Sequence, residues 1–394
     1  MNIKFVYCLL LATCVMSCSQ NKRNATIVPA EASIVAETVD SITEWPKEHT
    51  MSNECFISTE TDSVVILPLR ESESHMLGQI AQVASHNDTL VIADGRQVCL
   101  FDEQGCYLAT IGAMGHGPNE YIDFGGMYMS EDSIYIKDKG AGCILTYDFK
   151  GRLTYKRSFP DGAPQSFCVL GNGVVLGGFS GYRPNAVYRL VIYNAGNAVA
   201  GTAFPYTEPH EYVAGNFVNV SQTEAMFTYP LCDIIYKVSE NRITPAIRMN
   251  IQNEKAVTDF ISATSSLSQD KFIKALLSTD NIVNHVKVYS CKNNGWFVYY
   301  QDSKGSYFSF IDNKGRRDYI RVNKDQRELY YPFIVVSLCD NWLYAYVDAA
   351  AFSFMDEDSK NKWLNYIAEH SIRTVTTEDI ENGLPLLFKM HIRE

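Results

Sequence analysis

Between residue 87 and the C-terminus, one pair of short strand-like segments recurs six times. The first member is a turn followed by an alternating strand: NDTLVIAD (87–94), EDSIYIKD (131–138), GNGVVLGG (171–178), QTEAMFTY (222–229), NNGWFVYY (293–300) and DNWLYAYVD (340–348). The second is an aliphatic strand that ends in an aromatic, often with Asp and then Gly beyond it. Its marker aromatics are Phe101, Tyr147, Tyr193, Tyr236, Phe310 and Phe388, separated by 46, 46, 43, 74 and 78 residues. The two long gaps each hold a helical pattern, at 265–280 and 355–370, so they read as insertions into one underlying unit.

A period near 45 residues with about four strands per unit predicts an all-β fold, a six-bladed β-propeller with four-stranded blades. One such sheet cannot bury both faces alone, so the blades must stack around an axis. At 394 residues and 46% hydrophobic, the chain has ample material for six interfaces. The Asp-x-x-Gly turns have a local cause: the carboxylate bonds the backbone two residues on, and glycine supplies positive φ. The sixth unit runs out of chain before an outer strand appears. The unassigned segment SVVILPL (63–69) is expected to supply it, closing the ring with an N-terminal strand. Pro68 near its end suits an edge position, where a ladder donor can be spared.

The stretch ATIGAMGHGPNEY (109–121) invites a phosphate-cradle reading. Its spacing, G-x-x-G-x-G, matches neither the dinucleotide fingerprint nor a P-loop, and no helix N-terminus follows it. It sits where blade one's outer strand crosses to blade two's inner strand. Gly112, Gly115, Gly117 and Pro118 are therefore expected to shape that crossing.

The first twenty residues, MNIKFVYCLLLATCVMSCSQ, carry one charge at Lys4 and an apolar run from Phe5 to Met16. That run is too short to span a bilayer and reads as a secretory signal. It ends in Val15–Met16–Ser17–Cys18, which resembles the lipobox of bacterial lipoproteins. The resemblance implies that Cys18 is lipidated and becomes the first mature residue; the alternative is ordinary cleavage with Cys18 a bystander. The expected organisation is a signal peptide (1–17), a lipidated cysteine and flexible tether (18–50) and a propeller (51–394). The mature charge would be one below the −11 of the full chain, and no basic block stands out. A broad nucleic-acid face is thereby excluded. The eight later cysteines are widely and irregularly spaced, without C-x-x-C, and read as buried small hydrophobes rather than a disulfide framework.

LFDEQGCYLATIGAMGHGPNEY (100–121), with ILPLRES and NGLPLLFKMHI at the two ends, resembles the six-bladed β-propeller lipoproteins of Bacteroides-type bacteria, which are NHL-like propellers. The resemblance covers about residues 54–394. It implies an exported protein anchored by lipid in the outer membrane. CSQNKRN lacks an acidic surface-export run, which favours the periplasmic side.

In such a blade the A–B and C–D turns share one side, and the B–C and D–A connections the other. Both helical insertions, and most irregular loops, fall on the second side, where propeller ligands usually sit. The candidate ligand-binding residues there are His116, Glu120, Tyr182, Arg183, Tyr206, His210 and Tyr212, with His285 a further polar group. His210 and Glu211 read as an exposed loop pair. The favoured function is non-catalytic binding of a glycan, a peptide or an envelope protein by a monomeric propeller without a cofactor. One alternative is a hydrolase or lyase whose axial calcium is held by Glu120, Asn216 and Asn284. A second is a scaffold subunit of an outer-membrane assembly, docked through the inserted helices.

Overall fold

Six separate antiparallel sheets account for the six sequence units. The computed structural model describes residues 43–44, 50–52, 60–70, 76–159, 162–180, 188–206, 210, 214–249, 252, 254–280, 282–291, 295–301, 303, 306–312, 315–321, 333–339, 341–347 and 355–393. Strands A to D of blade one are Gln82–His86, Thr89–Ala93, Val98–Asp102 and Tyr107–Ile111. Those of blade two are Phe124–Met129, Ile134–Asp138, Cys143–Tyr147 and Leu153–Ser158. Blade three comprises Ser166–Val169, Val175–Gly178, Tyr188–Tyr193 and Val199–Pro205. Blade four comprises Asn216–Asn219, Ala225–Thr228, Ile234–Val238 and Ile243–Arg248. Blade five follows with His285–Ser290, Trp296–Gln301, Ser306–Asp312 and Gly315–Arg321. Blade six takes only three strands from this end of the chain: Phe333–Cys339, Trp342–Val347 and Leu386–Ile392.

The ring is evident in which strands meet. Each A strand neighbours the A strands of the two adjoining blades, and the A strand of blade six meets that of blade one. The six A strands thus enclose the axis. Each of the six blade-to-blade interfaces has its own apolar cluster, so no single central core exists. The marker aromatics lie on the C strands, where Phe101, Tyr147, Tyr193, Phe310 and Phe388 are buried in those clusters. Burial is the reason for their periodicity.

Closure follows the expected route. Strand β3 (Thr61–Pro68) pairs antiparallel with the C strand of blade six, with Ile66 opposite Phe388 and Leu67 opposite Leu387. Two shorter strands precede it, the first of them inside the stretch read as tether. Strand β1 (Thr43–Glu44) adds in parallel to the D strand of blade four, and β2 (Thr50–Ser52) to that of blade five. The N-terminal segment therefore covers the rims of blades four, five and six in turn. Arg70, just past β3, makes a single bridge to Cys106 at the rim of blade one.

The C–D turns show the expected chemistry. Asp102 Oδ1 accepts from Gln104 N (3.0 Å) and Cys106 N (2.7 Å), and Asp148 Oδ1 from Lys150 N and Arg152 N (both 2.9 Å). Gly105 and Gly151 take φ of 73° and 77°. In blade three Asn194 plays the carboxylate's part, and Asn197 (φ 71°) occupies the left-handed position in place of glycine.

The insertion between blades four and five holds two helices rather than one: α1 (Glu254–Thr264) and α2 (Gln269–Ser278). Val257, Phe260, Phe272 and Leu276 close a satellite cluster over Leu231 and Ile282. The insertion in blade six contains α3 (Glu357–His370), capped by Asp356 (Oδ1 to Ser359 N, 2.8 Å), and α4 (Thr377–Glu381), which opens with a Thr376–Asp379 capping box. Both insertions leave the sheets through D–A or B–C connections. The second then packs Trp363 and Ile367 against blade six and bridges Ser371 to Ile66 on β3. No helix among the described residues is long and apolar enough to cross a membrane. The seven described cysteines are free thiols, and burial pushes that of Cys168 up to about 12.

Candidate functional site

The crossing from blade one to blade two is closed by its own groups. Tyr121 N donates to Ala113 O and Gly115 N to Tyr121 O, both at 2.9 Å. Glu120 folds back so that its Oε2 accepts from Gly117 N at 2.7 Å. A Cβ at Gly115 would lie 2.0 Å from that same oxygen and would displace the folded-back carboxylate. At Gly112 (φ +65°) a Cβ would lie 2.8 Å from the Tyr147 hydroxyl, which donates to Asn119 O at 3.0 Å. Burial raises the Tyr147 phenol to about 12, so it remains a donor at any physiological pH. With these N–H groups engaged, the loop is a joint and not a phosphate cradle. His116 stands exposed on it, and Glu120 is turned into it.

A second device was not read from the sequence. Asp94, in the B–C loop of blade one, accepts from Gly78 N (2.8 Å), Arg96 N (2.9 Å) and Gln97 N (3.0 Å). Asp138, at the same place in blade two, accepts from Ile122 N (3.1 Å), Asp123 N (3.2 Å) and Ala141 N (3.1 Å). Each carboxylate clamps the chain just before it enters its own blade's A strand. The signal was present in the aspartates that end NDTLVIAD and EDSIYIKD.

At the entrance between blades three and four, Tyr206 donates to Phe179 O at 2.5 Å. Its ring lies 4.5 Å from the Arg189 guanidinium, which also rests 5.0 Å from the ring of Tyr229. Arg189, only 6% exposed, is thus held between two aromatics. Tyr206 keeps its predicted place on the loop side but is tied into this stack.

His210 corrects the exposed-loop reading. It is 5% exposed, its Nε2 donates to Thr264 O at 2.9 Å, and its ring stacks on Phe272 at 4.3 Å. The imidazole pins the helical insertion to the blade three–four crossing. Its neighbour Glu211, together with Tyr182, Arg183 and Tyr212, falls outside the described residues, as does Cys18.

Asn216 opens the A strand of blade four and faces Thr228 across the sheet. Asn284 is buried just before the A strand of blade five, and its N–H donates to Gln301 O at 3.0 Å. These two strands adjoin, but Glu120 belongs to the joint between blades one and two. Of the three proposed calcium ligands, Glu120 already has its Oε2 engaged by Gly117 N. Among the described residues no group of three or more His, Cys, Asp and Glu side chains is placed to hold a metal.

The A strand of blade five carries the most unusual electrostatics on the axis. His285, Lys287 and Tyr289 alternate with Val286 and Val288, whose side chains fill the blade four–five cluster. Burial, helped by the Lys287 charge, pushes His285 down to about 3, so its imidazole is neutral at physiological pH. Burial also holds Lys287 below the usual lysine range. On the same side of the ring, a cleft of about 260 Å³ lies between α1 and the B–C loop of blade four, lined by Leu231, Asp233, Gln252, Glu254, Val257 and Thr258.

A six-bladed propeller with its elaborations on one side defines the class. The model of the "Domain of unknown function (DUF4934)" family matches residues 42–379, and the chain belongs to that family. Among solved structures, it is similar to a Bacteroides fragilis protein designated a candidate exported protein (BF0058). That match has 19% identity and a TM-score of 0.68, covering 90% of this chain and 100% of that one. A Bacteroides vulgatus member of the DUF4221 family matches at 10% identity and a TM-score of 0.50, covering 84% and 97%. No curated protein sequence matches the chain.

Proposed function

We propose that this chain is an exported, lipid-anchored propeller that binds a ligand or envelope partner on its B–C/D–A side, without catalysis of its own. One observation carries the reading. Among the described residues there, Glu120 and His210 are engaged in structural hydrogen bonds rather than held ready for acid–base work. What remains accessible is suited to recognition: the cleft beside α1, exposed His116 and the half-buried polar groups of blade five's inner strand. Among the described residues the opposite side is built of tight turns. The N-terminal signal ending in Cys18 supports export and anchoring, as does the designation of the Bacteroides fragilis neighbour.

Three measurements test this. Cys18→Ser should abolish lipid labelling and release the protein from the membrane fraction. The purified mature chain should show no thermal shift between calcium and EDTA; a stoichiometric, tightly held divalent ion would overturn the non-catalytic reading in favour of the axial-metal one. Removing residues 254–278 should abolish co-purification with glycans, peptides or envelope proteins. Retention of every such partner would overturn the choice of side.

A further inference from the structure

Buried cations in this protein are answered with care. Among the described residues three are less than a tenth exposed. Lys137 passes over Gly125, where a Cβ would clash with its Cε, and donates to Gln165 O at the start of blade three. Arg157 donates to Asn197 Oδ1, Gly173 O (2.7 Å) and Asn194 O. Arg189 lies between Tyr206 and Tyr229. Each is surrounded by acceptors or aromatic faces, as a desolvated charge requires.

Lys287 breaks this rule. It is half-buried on the innermost strand of blade five, and among the described residues neither a hydrogen bond nor an ion pair answers its ammonium. Directly across the sheet stands Tyr299, and one step along are His285 and Gln301, also opposite each other. The His285 ring meets Tyr299 edge-on at 5.9 Å, and Gln301 Nε2 donates to the Tyr299 hydroxyl. From blade six, Ser337 and Cys339 sit on the neighbouring A strand. The titratable groups around Lys287 are thus a neutral imidazole, two phenols (Tyr289 and Tyr299) and a thiol. Among the described residues no carboxylate stands with them. In a chain of net charge −11, acidic partners were plentiful.

We propose that the axial end of the blade five–six interface binds a small organic anion, whose carboxylate or phosphate group pairs with Lys287. His285 Nε2–H or Nδ1–H and the Tyr289 hydroxyl supply neutral donors on the same strand face, and Tyr299 offers an aromatic wall for the ligand's uncharged part. This strand face looks towards blade six, where Tyr289 and Tyr299 border the blade five–six cluster, so the ligand enters at the axial end of that interface. The ammonium is half-buried and so only partly solvated in the empty protein, and a bound anion supplies the partner it lacks there. The assignment deepens the binding reading above and rests on it.

The intact mature chain is titrated calorimetrically with inorganic phosphate and, separately, with benzoate; the two probes separate phosphate-type from carboxylate-type ligands. One of them should bind with 1:1 stoichiometry. Lys287→Met should weaken it by about tenfold or more, while Lys287→Arg retains it. Without anion, Lys287→Met should raise the melting temperature, because it deletes an unanswered charge. Three results would overturn the inference: no binding of either probe, binding unchanged in Lys287→Met, or a lower melting temperature for that variant. None of these touches the insertion-deletion test, so failure here and failure of the broader binding reading remain distinguishable.

Discussion

Blades four to six and blades one to three are made of the same four strands, yet they finish differently at the rim. The first group carries N-terminal chain on every outer edge: β1 on blade four, β2 on blade five, and β3 as the missing strand of blade six. Among the described residues, blades two and three end in an uncovered D strand, and blade one receives only the Arg70 bridge. Each uncovered strand also shows a large apolar side chain to solvent: Leu108 (52% exposed), Tyr155 (54%) and Val199 (38%). An outer strand in this ring does not need a cover in order to exist. The covers on blades four and five must therefore be weighed separately from the one on blade six.

The strongest test of that separation lies in β3. Ile66 is fully buried opposite Phe388 and within reach of Trp363 and Ile367. Ile66→Asp should place an unpaired carboxylate in the blade six cluster. We expect a loss of more than about 4 kcal/mol, read as a collapse of the denaturation midpoint. A cooperative transition near the wild-type midpoint would show that ring closure does not depend on β3.

Next in size is an acid effect confined to the covered half. His285 is held near 3 in the folded protein against 6.5 in an exposed chain. Below 6.5 the unfolded state takes up a proton that the folded state refuses. The contribution is complete above that pH and is lost as pH falls towards 3. A stability-versus-pH series should show this slope, and His285→Gln should flatten it. An identical slope in the variant would mean that other groups carry the acid limb.

Much of this division could be read in the chain, for reasons that also explain what could not. The B and C strands announced themselves because alternation, turns and buried aromatics are local signals; Asp102, Asp148 and Asn194 behave as their neighbours predict. SVVILPL was found because blade six lacked a strand. By contrast, β1 and β2 are two and three residues long, too short for any period to register. Helix α1 was missed because EKAVTDFISAT is rich in β-branched and small residues, and its buried positions matter only once Leu231 lies beneath them. His210 looked solvent-facing because its partner Phe272 belongs to a distant insertion. Lys287 reads as the wet side of an ordinary half-buried strand in HVKVYS. Only assembly of the ring brings that side against blade six.

The smaller covers set the next scale. Removing the chain up to Ser52 deletes the pairings of Thr43–Glu44 and Thr50–Ser52 while sparing β3. A few exposed backbone hydrogen bonds are lost, so the cost should be about 2 kcal/mol. Hydrogen exchange is the sharper readout. Amides in Ile243–Arg248 and Gly315–Arg321 should exchange faster, whereas those in Leu153–Ser158 and Val199–Pro205 should not change. Uniform acceleration around the ring would show that the N-terminal segment stabilises the whole propeller rather than two rims.

The smallest effect is expected on the uncovered side, and it asks how a bare edge avoids pairing with another strand. An open D strand offers unpaired N–H and C=O groups to any passing strand. On blade two the edge already carries Lys156 and Arg157 beside Tyr155, and Arg157 is drawn inward by Asn194, Asn197 and Gly173. Tyr155→Lys removes the exposed apolar group and adds charge to that defence. Its effect on stability should stay within about 0.5 kcal/mol, because Tyr155 makes no buried contact of consequence. Sedimentation at high concentration should show equal or lower self-association than in the wild type. A clear loss of stability would mean that the exposed tyrosine supports its blade as the strap supports blades four and five, and the contrast between the two halves would be one of means rather than of need.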